Sequence, residues 1–137
     1  MKAFLDSSSF AKRFIEESGS EKVEELCSRA SELGLSVIGV PEIVSALARR
    51  LRERRLTQTQ YRTAKKRLLD DVRDADIVQL TPSVLGSAIR VLEASPVRAM
   101  DALHIACALE WEADLFVSSD ERQLTAARQA GLKTHPL

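Results

Sequence analysis

The chain has 137 residues, 45 % of them hydrophobic and 29 % charged, and its 20 Lys and Arg balance its 20 Asp and Glu to a formal net charge of zero. That length fits one domain, residues 1–137, whose folding removes roughly 68 % of the extended chain's surface from water. The composition excludes disordered, collagen-like and disulfide-framed classes, and the charge balance excludes a wholly basic nucleic-acid arm.

Ala3-Phe4-Leu5 is a short apolar run ending at Asp6, followed by Ser7-Ser8-Ser9 and then Phe10, Ala11, Phe14 and Ile15 at helical spacing, which predicts strand, turn and helix. Ser20 with Glu24 opens a second helix along Val23, Leu26, Cys27 and Ala30, and Gly34 is expected to close it as a C-cap. Cys27 and Cys107 are far apart and have no Cys or His companion, so neither a zinc site nor a disulfide is expected, and Cys27 reads as a small buried hydrophobe in a reducing compartment. Leu35 to Val40 is a β-branched run, and Pro41 suits the first turn of a helix carried by Val44, Leu47, Ala48 and Leu51. With Thr57 or Thr59 capping a helix along Tyr61, Ala64, Leu68 and Val72, residues 43–74 form a helical hairpin turning near Leu56.

Asp76 to Leu80 is a further short strand, and Pro82 opens a helix that stops before Ser95-Pro96. Residues 99–111 are apolar nearly all round, as in a helix packed deep against a sheet. Leu115 to Val117 is a strand, Glu121 to Ala130 a helix ending at Gly131, and Leu132 to His135 an edge strand. Short strands alternating with helices define an α/β domain with a mostly parallel sheet of four to five strands flanked by helices, with the hairpin added. No window reaches the ~18 apolar residues of a membrane span and no targeting signal is visible, so a soluble, cytoplasmic protein with no membrane contact is expected.

In parallel sheets the ligand crevice lies at the carboxyl ends of the strands. Asp6, Glu42 and Asp120 each follow a strand there, and Asp101 opens the apolar helix on the same edge. First helical turns also favour carboxylates through the macrodipole and by capping free N–H groups. That account is weakest for Asp101, because an ionised carboxylate on the inner edge of a buried helix is costly unless a cation offsets it. Converged carboxylates repel unless one takes a proton or a cation binds, and an oxygen-only donor set suits Mg2+ or Mn2+ over zinc. Such an ion supports phosphodiester hydrolysis without a separate general base, in a chain with only two histidines, of which His104 reads as a structural, hydrogen-bonded residue.

Phe4-Leu5-Asp6-Ser7-Ser8, Pro41-Glu42-Ile43-Val44, Met100-Asp101-Ala102-Leu103-His104-Ile105-Ala106 and Phe116-Val117-Ser118-Ser119-Asp120 resemble, in order, the four acidic motifs of the PIN domain. Length and motif spacing resemble the VapC toxins of toxin-antitoxin pairs. The resemblance implies a PIN-like fold and a metal-dependent endoribonuclease. It implies an acidic metal site of Asp6, Glu42, Asp101 and Asp120, with Ser8 and Ser118 as neighbouring polar groups that orient the substrate. It further implies a VapB-type antitoxin and a homodimer as partners. Ser118 stands where the family often has Thr, and Leu124 where an aromatic is common.

Between Ile43 and Leu69 stand nine basic residues against one acid, Glu53, a local charge of +8 that leaves −8 on the rest of the chain. This hairpin is either a solvated face or a phosphate-binding surface beside an acidic site that would otherwise repel RNA. Its apolar residues Val44, Leu47, Leu51 and Leu68 suit either a partner or the core. A receiver domain is disfavoured because Asp6 has no acidic neighbour and Lys133 lies too far along. A phosphatase with a nucleophilic aspartate would need an acid where Ser8 stands. A non-catalytic binding module is the remaining alternative, and its signature would be loss of a site acid.

Overall fold

The computed structural model describes residues 1–137. Its elements in chain order are β1 (Lys2–Leu5), α1 (Ser7–Ala11), α2 (Ser20–Arg29), β2 (Glu32–Ser36), α3 (Gly39–Arg52), α4 (Gln58–Asp74), β3 (Asp76–Val78), α5 (Pro82–Ala94), α6 (Ala99–Glu110), β4 (Leu115–Ser118), α7 (Glu121–Gln129) and β5 (Thr134–Pro136). The five strands form one sheet in the order β3-β2-β1-β4-β5, and every pairing is parallel. Parallel neighbours cannot be joined by tight hairpins, which is why helices separate successive strands.

Strand side chains alternate between faces, and β1 shows it directly. Ala3 and Leu5 join a core with Phe10, Val23, Ile43, Leu47 and Leu68 on the face covered by α1 to α4. Phe4 joins the opposite core with Val84, Ile105, Phe116 and Ala127 under α5, α6 and α7. The architecture is therefore three layers, helices on both faces of a parallel sheet. Leu47 and Leu68 are fully buried, and Val44 and Leu51 half-buried, so the apolar side of the hairpin is core. The large apolar residues that remain exposed include Leu85, Ile89 and Leu92 on α5. No helix is long and apolar enough to cross a membrane.

Three local expectations are corrected. Gly34 does not cap α2, which ends at Arg29 with Ala30 as its extended cap. Gly34 lies inside β2, opposite Phe4, and an added Cβ would stand 2.8 Å from the Trp111 ring. It is glycine because an aromatic ring occupies the space above it. Second, the 35–40 run divides: β2 ends at Ser36, and Gly39 and Val40 already belong to α3, with Pro41 in its first turn. Third, the residue ahead of α2 is Gly19 at φ 95°, and Ser20 instead accepts from the Glu17 N–H and donates to the Ile15 carbonyl. At the hairpin, Thr57 is the cap that forms, in a reciprocal pair with Gln60.

Gly34→Ala is expected to destabilise the fold by about 1–3 kcal/mol, because Trp111 must move and its indole N–H donates to Asp76 at 3.0 Å. A shift of the urea midpoint with an unchanged slope would register it. An unchanged midpoint would show that the ring moves freely.

Candidate active site

The chain leaves β1 toward β2 and β3 on one side and adds β4 and β5 on the other, so the strand order reverses between β1 and β4. In a parallel sheet that reversal opens a crevice at the carboxyl ends of the strands. All four acids stand at helix starts on this edge. Asp6 is the N-cap of α1 and Asp120 that of α7, while Glu42 and Asp101 lie in the first turns of α3 and α6. The positive ends of four helix dipoles thus face the carboxylates and offset part of their mutual repulsion.

Asp6 is only 3 % exposed. Its Oδ1 accepts from the Ser9 N–H at 2.9 Å and the Ser8 hydroxyl at 3.1 Å, and its Oδ2 accepts from the Ser118 hydroxyl at 2.7 Å. The Ser118 oxygen accepts in turn from the Asp120 N–H at 3.0 Å. One serine at the end of β4 therefore ties the Asp6 carboxylate to the backbone that carries Asp120, and Ser8 and Ser118 both lie against the first acid. Asp120 uses Oδ1 to accept from the Arg122 N–H at 2.9 Å.

Asp101 meets Arg98 at 3.4 Å, with the arginine side chain 86 % exposed. Asp101, Asp120 and Glu121 line a common cleft of about 510 Å³, and Arg98 and Arg122 line it with them. Glu42 sits apart from that cleft. Its Oε1 accepts from the Ser7 hydroxyl at 3.0 Å and contacts His104 Nε2 at 2.6 Å. The structure thus unites Asp101 and Asp120 on one cleft, links Asp6 to Asp120 through Ser118, and anchors Glu42 beside Ser7. It does not bring the four acids to one point: no three His, Cys, Asp or Glu side chains stand close enough to share an ion. The donor chemistry still fits a hard divalent cation, since the set is carboxylate and hydroxyl oxygen throughout. Asp101 and Asp120 are held less firmly than Asp6, by one arginine and by one helix cap respectively.

His104 is the residue whose part the sequence understates. It is 2 % exposed, Nε2 faces the Glu42 carboxylate, and Nδ1 is buried with no hydrogen-bond partner. One short contact therefore fixes the ring, and with it the first turn of α3 against α6. Its signal in the sequence is its place one turn after Asp101.

Burial pushes the Glu42 carboxyl up, but the His104 hydrogen bond and charge, helped by Ser7 and Arg98, hold it below the usual value. A lowered folded value contributes stability that is complete above the unfolded pKa of about 4.3 and is lost as pH falls through the folded one. In EDTA, Glu42→Gln is expected to cost about 1–2 kcal/mol at neutral pH, and the difference from wild type to shrink below about pH 4. Urea titrations at pH 7, 5 and 3.5 test this, and a gap that persists at pH 3.5 contradicts it.

Comparison with known proteins agrees with this architecture. The sequence matches the family model of the PIN domain over residues 3–129. It is 30 % identical over 135 residues to Ribonuclease VapC45 of Mycobacterium tuberculosis, an alignment covering 97 % of this chain and 94 % of that protein. VapBC-1 from nontypeable Haemophilus influenzae superposes with a TM-score of 0.72 at 12 % identity, covering 99 % of this chain and 98 % of that one. The Mycobacterium tuberculosis toxin VapC20, described as sarcin-ricin loop cleaving, gives 0.68 at 15 % identity over 90 % of this chain and 94 % of that one. At such identities the structural likeness speaks for the fold alone. The matched span contains all four strand-end and helix-start acids together with the sheet that presents them, and this chain belongs to the PIN domain family.

Proposed function

We propose that the protein is a VapC-type endoribonuclease that hydrolyses RNA phosphodiester bonds. In this reading it is the toxin of a VapBC-type pair, working in the cytoplasm as a homodimer and restrained by a VapB-type antitoxin. The observation that carries the proposal is the junction at the end of β1 and β4, where Ser118 joins buried Asp6 to Asp120 beside the cleft shared with Asp101. Support for the substrate class comes from the ribonuclease at 30 % identity along almost the whole chain.

Asp6, Asp101 and Asp120 would hold Mg2+ or Mn2+, and Glu42 would bind a second ion or orient the attacking water. Such an ion would supply Lewis acidity, making a water more nucleophilic and offsetting charge on the leaving oxygen. The chain's own residues do the rest. Asp6 is immobilised by three donors, so one carboxylate of the set is preorganised. Ser8 and Ser118 keep both of its oxygens in place. Arg98 and Arg122 on the cleft attract the RNA backbone into an otherwise acidic site.

A phospho-accepting Asp6 is opposed by its lack of an acidic neighbour and by Ser8, which stands where a phosphatase built on a nucleophilic aspartate would carry a second acid. A non-catalytic module is opposed by the presence of all four acids.

The test is cleavage of a mixed tRNA and rRNA pool by the purified, antitoxin-free protein with Mg2+ or Mn2+, and with EDTA. Cutting is expected with either metal and not with the chelator, leaving 5′-phosphate and 3′-hydroxyl ends. A 2′,3′-cyclic phosphate product, or equal cutting in EDTA, would contradict the metal-water scheme.

A further inference from the structure

A second groove opens at Glu42, and it shares no lining residue with the Asp101–Asp120 cleft although Met100 lines the one and Asp101 the other. It has a volume of about 440 Å³, and Pro41, Glu42, Ser45, Arg49 and Met100 are among the residues that line it. Glu42 therefore belongs both to the acid set and to a surface that leads away from it along α3.

The periodicity of α3 defines that surface. Gly39, Ile43 and Leu47 are its buried positions. Residues at three- and four-residue spacing share a helix face, and Glu42, Ser45, Arg49 and Arg52 follow one another from the flank of the buried stripe, where Glu42 lies, to the side opposite it, where Arg52 lies. Ser45, Arg49 and Arg52 are exposed. At 1.5 Å rise per residue, Arg49 lies about 10 Å and Arg52 about 15 Å along the helix from Glu42. The turn that follows keeps the same sign: Arg54 is exposed in a left-handed conformation, φ 59°.

The charges on this face are uncompensated. Arg50 and Arg55 pair with Glu17 and Glu53, whereas Arg49 and Arg52 have no acidic partner, and Glu42 is the sole acid within α3. The helix macrodipole favours cations in a last turn and accounts for part of this row. It does not account for a groove that joins Arg49 to the site carboxylate Glu42. Like charges one turn apart repel modestly, and a bound polyanion reverses the sign of that cost. The face carries no aromatic side chain on which a base could stack, so its contacts suit the sugar-phosphate backbone and not the bases.

We propose that the RNA strand reaches the acidic site along this face of α3, with Arg49 and Arg52 each contacting a backbone phosphate on the approach to Glu42. The proposal deepens the ribonuclease reading and rests on it. The face supplies sequence-independent affinity and direction, leaving selection of the cleaved bond to the region around the cleft.

The experiment measures binding of a fluorescein-labelled single-stranded RNA 20-mer by anisotropy from 50 to 300 mM KCl, with Asp101→Asn as the background so that the probe stays intact. Arg49→Gln with Arg52→Gln is compared with Lys22→Gln and Arg29→Gln, which remove the same charge from exposed positions on α2. Loss of two phosphate contacts lowers the slope of log affinity against log salt by about 1.4, and weakens binding near 0.1 M salt by about 10- to 25-fold. That result is expected for the α3 pair alone. Equal slopes for both pairs would overturn the proposal, as would equal weakening by both, which reports net charge only. Unaltered RNA binding with lost capture of a VapB-type antitoxin would also overturn it and assign the face to a protein. Metal-dependent cleavage by the wild-type chain tests the parent reading separately, so the two failures are distinguishable.

Discussion

Asp101→Asn is expected to lower metal-dependent RNA cleavage at least about a thousandfold while leaving the thermal midpoint within about 2 °C of wild type. The first half follows from the size of the lost term: a ligand whose removal costs several kcal/mol of transition-state charge stabilisation costs three decades of rate. The second half follows from how little the fold asks of this side chain. Its contact to Arg98 is a 3.4 Å pair with a mostly exposed arginine, and exposed pairs contribute about 0–1 kcal/mol. Asp6→Asn behaves differently. Its carboxylate accepts three hydrogen bonds in a 3 % exposed site, so an amide places a donor against one of those donors and costs about 1–3 kcal/mol in addition to activity. Initial rates and melting curves on both variants separate chemistry from folding. Wild-type rates from Asp101→Asn, with cutting still abolished by EDTA, would remove Asp101 from the proposed metal site.

The largest stability effect is expected at Phe4, two residues before Asp6. The ring is fully buried, stacked on Phe116 at 6.0 Å between centroids and tilted against Trp111 at 6.2 Å. Phe4→Ala removes this packing and leaves a cavity where the central strand meets the α5–α7 layer, for a loss of about 3–5 kcal/mol. For a domain of this size that corresponds to a melting point lower by roughly 10–20 °C. Phe4→Leu, which keeps most of the apolar volume, is expected to lose less than half as much, about 1.5 kcal/mol. Calorimetry of the three proteins checks the series. A shift below about 3 °C for the alanine variant would mean that β1 is not the keystone of this layer.

Some of this was legible in the sequence, and the physical reasons divide it from what was not. The strand before Asp6 and the apolar helix after Asp101 announce themselves through contiguous signals of composition and periodicity. Gly34 shows the opposite case. A glycine after an amphipathic stripe reads as a helix stop, and only the ring of Trp111, brought over it by the fold, makes it a strand residue. The division of the 35–40 run was hidden for a similar reason, since β-branched residues serve a strand end and a first helical turn alike. At the site, the four acids and their common edge were legible because each sits where a strand hands over to a helix or a helix begins. The contact between Glu42 and His104 spans 62 positions and has no local signature. Side-chain direction was not legible either. Asp120 caps its own helix and Asp101 leans toward Arg98, choices set by competition among nearby donors.

The pairing of β1 with β4 has a consequence for how the protein is made. The bond from Ser118 to Asp6 joins residues 112 positions apart, with β2, β3 and their helices lying between them in the chain. A ribosome therefore produces the first site acid long before the strand that completes its surroundings, and any nascent chain that stops short of β4 has an unpaired edge on its central strand and no cleft. The order of synthesis therefore postpones the closure of Ser118 on Asp6, and the cleft beside it, until almost all of the domain has been made.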